Sequence, residues 1–522
     1  MALHMLLLFL FSIGFGGLAL YVYEILWLRP EKMRAELRSQ GINGPPPHSF
    51  LRGNVPEMER IESEERSRRR GGDFEAHTQG YDGILFPYFD RWRKIYGPTY
   101  MYSVGNLVSL YVAEPGLVKD ISLYVSQDLG KPSYLQKAHE PLFGNGILKA
   151  NGPAWAHQRR IISPEFYMDK VKGMMGLIVD STISMLKAWE SRIDESGCGK
   201  AEVRVDGDLR DLSADVISRA CFGDSYSKGE EIFSMLAELK KAMSKQSLIV
   251  GIPDLRFLPT KKNRETWRLV KEIRWSVLSM VRERRGSSSS SSSSSWSDLL
   301  QSLLSSADVN YGSPSETDRF LVDNCKNIYF AGHETTAVTA TWAMMLLASH
   351  PDWQAKARAE VIRVCGDRPP DHHHMLRKMK TLTMVIQETL RLYSPSAFVA
   401  REALRDLKLG ELRVPKGVNI LIPISTMHCD KDVWGPDADA FDPARFARGV
   451  SGACRLPHAY MPFGTGTRTC LGQNLAMVEL KVVLSMVLSR FNFSLSPSYW
   501  HSPAFKLTVE TEFGLPLTMT KV

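Results

Sequence analysis

The sequence is poor in cysteine, with seven among 522 residues. That is too few for a disulfide framework, and an odd number leaves at least one thiol unpaired. It also lacks a dominant charge. Sixty-five Lys and Arg stand against 57 Asp and Glu, a net +8 spread over the whole chain. No basic stripe is interleaved with aromatics, so nucleic acid is not an expected partner. The 38 glycines and 28 prolines recur with no fixed period, which argues against collagen and repeat solenoids. No glycine-rich dinucleotide fingerprint follows a strand, so any nicotinamide or flavin chemistry must come from a separate protein. What remains, at 44% hydrophobic and 23% charged, is ordinary globular composition.

One long apolar run is present. Residues 5–23 carry no charge, and as a helix they span about 28 Å, close to the hydrocarbon thickness of a bilayer. A cleaved signal peptide, the rival, would place cations before its apolar core and small residues after it. Here Tyr21, Val22, Tyr23 and Glu24 close the run, and Arg29, Lys32, Arg34 and Arg38 come later. The expectation is a single transmembrane anchor over 5–28, with a short lumenal stretch 1–4 and the cations kept cytosolic. Pro45, Pro46 and Pro47 then stiffen a basic, proline-rich hinge and lead-in over 29–79. The charged stretch 61–72 is expected to be a solvated face or loop. The serines at 287–295 are expected to form a disordered surface loop.

Beyond residue 79 the apolar spacing is mostly helical, at 168–190, 230–245, 264–285 and 320–349. Strand-like pieces are short: 99–104, 108–112 and 418–423. The pattern predicts a mainly α (α+β), helix-rich fold with small sheets. No break divides residues 80–522, which are taken as one domain.

Three segments carry chemistry. FGTGTRTCLG, residues 463–472, has glycines at 464, 466 and 472 that permit tight turns and a close backbone approach to a flat ligand. Cys470 stands just before a helix expected to begin near Gly472. A cysteine there, with Arg468 nearby, has its thiolate favoured and can ligate a metal; an isolated cysteine is otherwise core filler. In ETLRLYSP, Glu388 and Arg391 share a helix face. AGHETT sets Gly332, Glu334 and Thr335 inside a long apolar helix, a pattern that suggests a bulge or groove with freed backbone groups.

Together these segments resemble the cytochrome P-450 family. Residues 463–472, from Phe463 onward, meet every fixed position of its haem-loop signature, F-x-x-G-x-R-x-C-x-G. The resemblance implies that Cys470 is the axial ligand of a haem b iron, with Phe463 in the same cofactor-binding loop. Trp155 and Arg159 in WAHQRR resemble the family's W-x-x-x-R, and with Arg401 and Arg468 they are implied to hold the haem propionates. Glu388, Arg391 and Arg445 match a structural lock of the family, although Ala444 stands where an acid is often found. AGHETT resembles the oxygen-binding groove, where Thr335 would orient dioxygen and water while Glu334 takes part in proton delivery. His333 lies outside that pattern.

The implied protein is a microsomal haem-thiolate monooxygenase, monomeric and held in the endoplasmic reticulum membrane with its catalytic domain cytosolic. It would insert one oxygen atom from O2 into a small lipophilic molecule, by hydroxylation or epoxidation. Electrons would come from NADPH through a cytochrome P-450 reductase, an acidic partner for which Arg445, Arg448 and Arg455 are candidate docking cations. The pocket is expected to draw on 134–147, the region of Asn327 and Phe330, 397–399 and Phe513, which are mostly apolar. The segments GINGPPPHSFLRGN and SRACFGDSYSKGEEIF are similar to those of plant members that oxidise gibberellins and related diterpenoid acids. Competing possibilities are another terpenoid or fatty-acid hydroxylase, a haem-thiolate isomerase or dehydratase that uses no O2, and a haem-binding sensor. The intact Gly332, Glu334, Thr335 pattern argues against the isomerase, and the complete motif set against the sensor.

Overall fold

The computed structural model describes residues 2–49, 51–70, 81–222, 226–244, 258–287, 299–310 and 313–522. The serine run from 288 to 295 lies outside the described residues.

The central element is a helix of 36 residues, Pro314–Ser349. A capping box sets its start: the Ser313 side chain accepts from Glu316 N, with Pro314 at the first helical position. The apolar pattern alone placed the start at 320, because the polar first turns hide the periodicity. From Phe320 to Ala348 most side chains are buried, so the helix is apolar on nearly every face. Helices Val205–Phe222, Lys380–Leu392 and Gln473–Arg490 pack around it. Gly332 lies tight against the first of these, since a Cβ there would stand 2.6 Å from Ile217 Cδ1. Of the other expected helices, 168–190 divides at Met174 into Met168–Gly173 and Met175–Glu195. The next two are Tyr226–Ser244 and Lys261–Ser287.

Small sheets flank this body. The largest runs Thr99–Val104, Leu107–Val112, Asn419–Pro423, Phe398–Ala403 and Leu129–Gly130 in spatial order. Its pairings are antiparallel except that of Leu107–Val112 with Asn419–Pro423. A three-stranded sheet of Lys200–Arg204, Pro516–Lys521 and Phe491–Leu495 ties the C-terminal end to the middle of the chain. Trp342 Nε1 donates to Val509 O at 2.8 Å and joins the central helix to the C-terminal hairpin Pro503–Phe505 and Val509–Thr511. All seven cysteines are free thiols.

At the N-terminus, helix Ala2–Tyr23 passes through a π-helical turn, Glu24–Leu28, directly into helix Arg29–Ser39. The stretch from Phe9 is long and apolar enough to cross a membrane, and protein buries none of its apolar window. Phe9, Phe11, Phe15 and Leu20 present bare apolar side chains, which a lipid interior would cover.

The expected hinge is in large part packed. Leu37 is fully buried, and Arg34 reaches Ser103 Oγ at 3.2 Å while pairing with Glu31 at 2.8 Å. Asn54 fastens the proline stretch by donating to the Pro45 and Pro46 carbonyls and accepting from Ser103 N. The charged stretch forms the later turns of helix Val55–Arg70, held by pairs such as Arg60–Glu64 and Arg66–Glu62. It is a solvated helix face, not a loop. Residues 71–80 lie outside the described residues.

Candidate functional site

The loop 463–472 is folded by its glycines. Gly464 and Gly466 take φ of +76° and +69°, and a Cβ at Gly466 would meet Ser122 O at 2.9 Å. Gly472, at φ −85°, needs no such freedom. The turns bring Cys470 N to Phe463 O at 2.9 Å and set the thiol at the start of helix Gln473–Arg490. Burial raises the Cys470 thiol, while the N–H groups of Gly472 and Gln473 and the charge of Arg159 pull it the other way. Yet Cys470 retains exposed surface. A desolvated side chain that is still exposed faces an internal void. The nearby cation is Arg159. Arg468, expected beside the thiol, instead donates to Ala150 O and Asn151 Oδ1 at 3.0 and 2.8 Å.

Cations gather at this place. Arg159, on helix Gly152–Ile162, donates to Thr469 O at 2.9 Å. Trp155, one turn earlier, is a shared platform, with the Arg468 and Arg159 guanidinium groups 4.3 and 5.7 Å from its ring centre. Arg401 donates to Thr465 O at 3.3 Å from strand Phe398–Ala403. A fourth cation, Lys131, was not singled out from the sequence because GKPSYL matches no pattern. Asn151 links it to the others, accepting from both Lys131 N and Arg468.

None of these four cations pairs with a carboxylate among the described residues. Burial pushes Arg401 down to about 10. Burial and neighbouring cations push Arg468 to about 9 and Lys131 to about 7. Buried cations without a counter-charge are costly, so an anion belongs among them. A thiol facing a void beside such a cluster fits a flat, metal-bearing macrocycle that carries two carboxylates. Haem b is that group.

Behind the loop lies the lock. Glu388 and Arg391 are both 0% exposed and form a bidentate pair with two contacts of 2.7 Å. Arg391 also donates to the carbonyls of His428, Ala438 and Ala440. Arg445 stands 3.6 Å from Glu388, and Asp437, 3.0 Å from Arg445, supplies the acid that Ala444 does not. The Arg445 side chain is only 7% exposed, so it is not the docking cation expected from the sequence; Arg448 and Arg455 are exposed. His428 completes the arrangement, its Nδ1 donating to Arg391 O and its Nε2 accepting from Met461 N. Burial holds it neutral, down to about 3. No motif announced it.

On the central helix, Thr335 Oγ1 donates to Ala331 O at 2.8 Å. The helix runs unbroken through this point; the expected bulge is replaced by a hydroxyl bonded back to the i−4 carbonyl. Glu334 faces the packed helices Val205–Phe222 and Tyr226–Ser244, with Lys240 Nζ at 2.7 Å and Arg210 Nε at 3.5 Å. Burial would raise its carboxyl, but Lys240, His333 and Arg210 outweigh it and hold the group at about 2. Arg210 and Lys240 are shared with Glu510, at 2.8 and 3.5 Å. Glu334 is therefore an ionised, doubly paired carboxylate. Asn327, expected at the pocket, spends its amide on the backbone of Phe143 and Leu148. Phe330 meets Phe143 edge to face at 5.0 Å, and Phe513 is exposed.

The cysteine at the void, the cluster of cations and the lock define a haem-thiolate protein. Residues 74–511 match the Cytochrome P450 family model, and the chain belongs to that family. Cytochrome P450 714C2 of Oryza sativa subsp. japonica is 54% identical over 500 residues, covering 95% of this chain and 94% of the relative. Cytochrome P450 714D1 of the same plant is 52% identical, over 95% of this chain and 91% of its own length. Cytochrome P450 714A2 of Arabidopsis thaliana is 45% identical, over 97% and 95%. The protein is thus a P450 monooxygenase, an oxidoreductase whose cofactor is haem b on a cysteine thiolate, with NADPH used through a reductase. Its N-terminal apolar helix is long and apolar enough to anchor it in a membrane.

Proposed function

We propose that the protein oxidises a gibberellin or a related diterpenoid, inserting one oxygen atom by hydroxylation or epoxidation. The observation that carries the site assignment is Cys470 facing a void beside one buried and three half-buried cations that have no carboxylate partner among the described residues. The substrate class is supported by the resemblance of GINGPPPHSFLRGN and SRACFGDSYSKGEEIF to plant members that oxidise gibberellins. Near-full-length likeness to plant relatives is consistent with it.

Bound haem would supply dioxygen activation and the power to attack an unactivated C–H bond. Cys470 would hold its iron, the sulfur oriented by the Gly472 and Gln473 N–H groups. Phe463 fixes the Cys470 backbone through its carbonyl. Trp155, Arg159, Arg401, Arg468 and Lys131 would hold the propionates. The Thr335 hydroxyl, which now donates to Ala331 O, would orient dioxygen or a water by exchanging that bond. Glu334 holds no proton of its own at neutral pH, so proton delivery through it would need the Lys240 and Arg210 contacts to loosen. Glu388, Arg391 and Arg445 would keep the loop in shape.

The chain would act as a monomer in the endoplasmic reticulum membrane, with residues 80–522 cytosolic. A cytochrome P450 reductase would dock at exposed cations such as Arg448 and Arg455.

The test is incubation of microsomes holding the protein and a reductase with gibberellins, other terpenoids and fatty acids under 18O2. A gibberellin product with one labelled oxygen, formed only with NADPH, is the expected result. Product formed without NADPH or label would favour the isomerase, and oxidation of fatty acids alone would displace the diterpenoid assignment. Thr335→Ala should consume NADPH at a near-normal rate while product falls about tenfold or more. Unchanged coupling would remove Thr335 from the relay.

A further inference from the structure

His428 is a buried titratable group that lies outside every motif read from the sequence. It ends the short helix Ile424–His428 and is 0% exposed. Met461 N stands 2.9 Å from its Nε2. A backbone amide can only donate, so Nε2 accepts. The single ring hydrogen then sits on Nδ1, which donates to Arg391 O at 3.0 Å. The backbone thus selects one neutral tautomer, and burial acts in the same direction, holding the group down to about 3. Tyr460 stacks on the imidazole, with ring centres 5.3 Å apart and planes at 29°.

The ring stands between two structures. On one side is Arg391, which grips Glu388 through two contacts of 2.7 Å. On the other the haem loop begins. Met461 O accepts from Gly464 N at 2.9 Å, and Phe463 O accepts from Cys470 N at 2.9 Å. Hydrogen bonds therefore lead from Arg391 through His428 and Met461 into the Gly464 turn, and the Phe463 carbonyl closes that turn on Cys470. The loop has two other holds, Arg159 on Thr469 O and Arg401 on Thr465 O. Those guanidinium groups are the ones assigned to the propionates, so bound haem competes for them. No propionate competes for His428, which is neutral and sealed from solvent.

We propose that His428 is a positioning residue for the haem thiolate: its bond to Met461 N holds the loop, and with it the Cys470 sulfur, where iron can be reached. The claim goes beyond the proposed function and is independent of which substrate is oxidised. Groups behind a metal ligand set its orientation and its strength as a donor.

The test uses the haem-loaded full chain and three substitutions. His428→Phe keeps a ring against Tyr460 and removes both hydrogen bonds. His428→Asn reaches only as far as Nδ1 and keeps the bond to Arg391 O alone. His428→Gln carries its amide oxygen to the Nε2 position and can accept from Met461 N. The readouts are the absorption spectrum of the reduced, carbon-monoxide-bound protein and the rate of haem transfer to excess apomyoglobin. His428→Phe and His428→Asn should show the unshifted band of lost thiolate ligation and release haem about tenfold faster. His428→Gln should keep the red-shifted band and a release rate close to wild type, although it too loses the ring contact with Tyr460. Should His428→Phe yield no folded protein, the comparison of Asn with Gln decides. A wild-type spectrum and release rate in His428→Phe, or equal loss in His428→Asn and His428→Gln, would overturn the proposal. The second result would make His428 a packing residue only.

Discussion

Arg391→Ala should yield protein that no longer retains haem. The substitution leaves Glu388 charged at 0% exposure and strips the carbonyls of His428, Ala438 and Ala440 of their donor. Removing one partner of a buried pair costs about 3–5 kcal/mol, against a total margin of about 5–15 kcal/mol for a folded domain. The loss falls on the segment that leads into the Cys470 loop, because His428 bonds both Arg391 O and Met461 N. Arg391→Lys should rescue only in part, since an ammonium cannot reproduce the two-pronged contact. Haem content per folded protein, with circular dichroism as the measure of folding, checks this. Full haem retention and unchanged thermal stability in Arg391→Ala would show that the lock does not hold the loop.

Lys240→Met should destabilise the protein in a pH-dependent way. The Glu334 carboxyl sits at about 2, below its ordinary 4.5. The folded state thus favours the ionised form: this stabilisation is present above pH 4.5 and is lost as pH falls towards 2. It amounts to about 3 kcal/mol. Without Lys240, the strongest of the opposing charges, the carboxyl moves upward towards its ordinary value. The variant should therefore lose up to about 3 kcal/mol at pH 7 and less at pH 3, where its Glu334 takes up a proton while that of the parent stays ionised. Thermal unfolding at both pH values decides the matter. An equal loss at both would mean that the Lys240–Glu334 contact is not the source.

The loop around Cys470 was legible in the sequence because its chemistry depends on local spacing. A glycine turn, a cysteine and a helix start lie within ten residues, and the structure reproduces that order. The ion pair of Glu388 and Arg391 was legible for the same reason. Lys131, Asn151 and His428 were not, because each owes its importance to residues far away in sequence. Lys131 is ordinary until strand Phe398–Ala403 and the haem loop bring Arg401 and Arg468 beside it. Glu334 was recognised, but its charge state was not, since Lys240 and Arg210 come from other helices. The proline-rich lead-in suggested a hinge, whereas Leu37, Arg34 and Asn54 bind that segment to the sheet through contacts no local pattern encodes. Arg445 was read both as a member of the lock and as a docking cation, and its contacts with Glu388 and Asp437 leave it in the lock.

The claim on which the rest depends is that Cys470 supplies the thiolate to haem iron. The most direct measurement is the absorption spectrum of the reduced, carbon-monoxide-bound protein, compared with Cys470→Ala. The wild type should show the strongly red-shifted Soret band of thiolate ligation, and the variant should lack it. An unshifted band in well-folded, haem-loaded wild type, or a red-shifted band that survives in Cys470→Ala, would contradict the account.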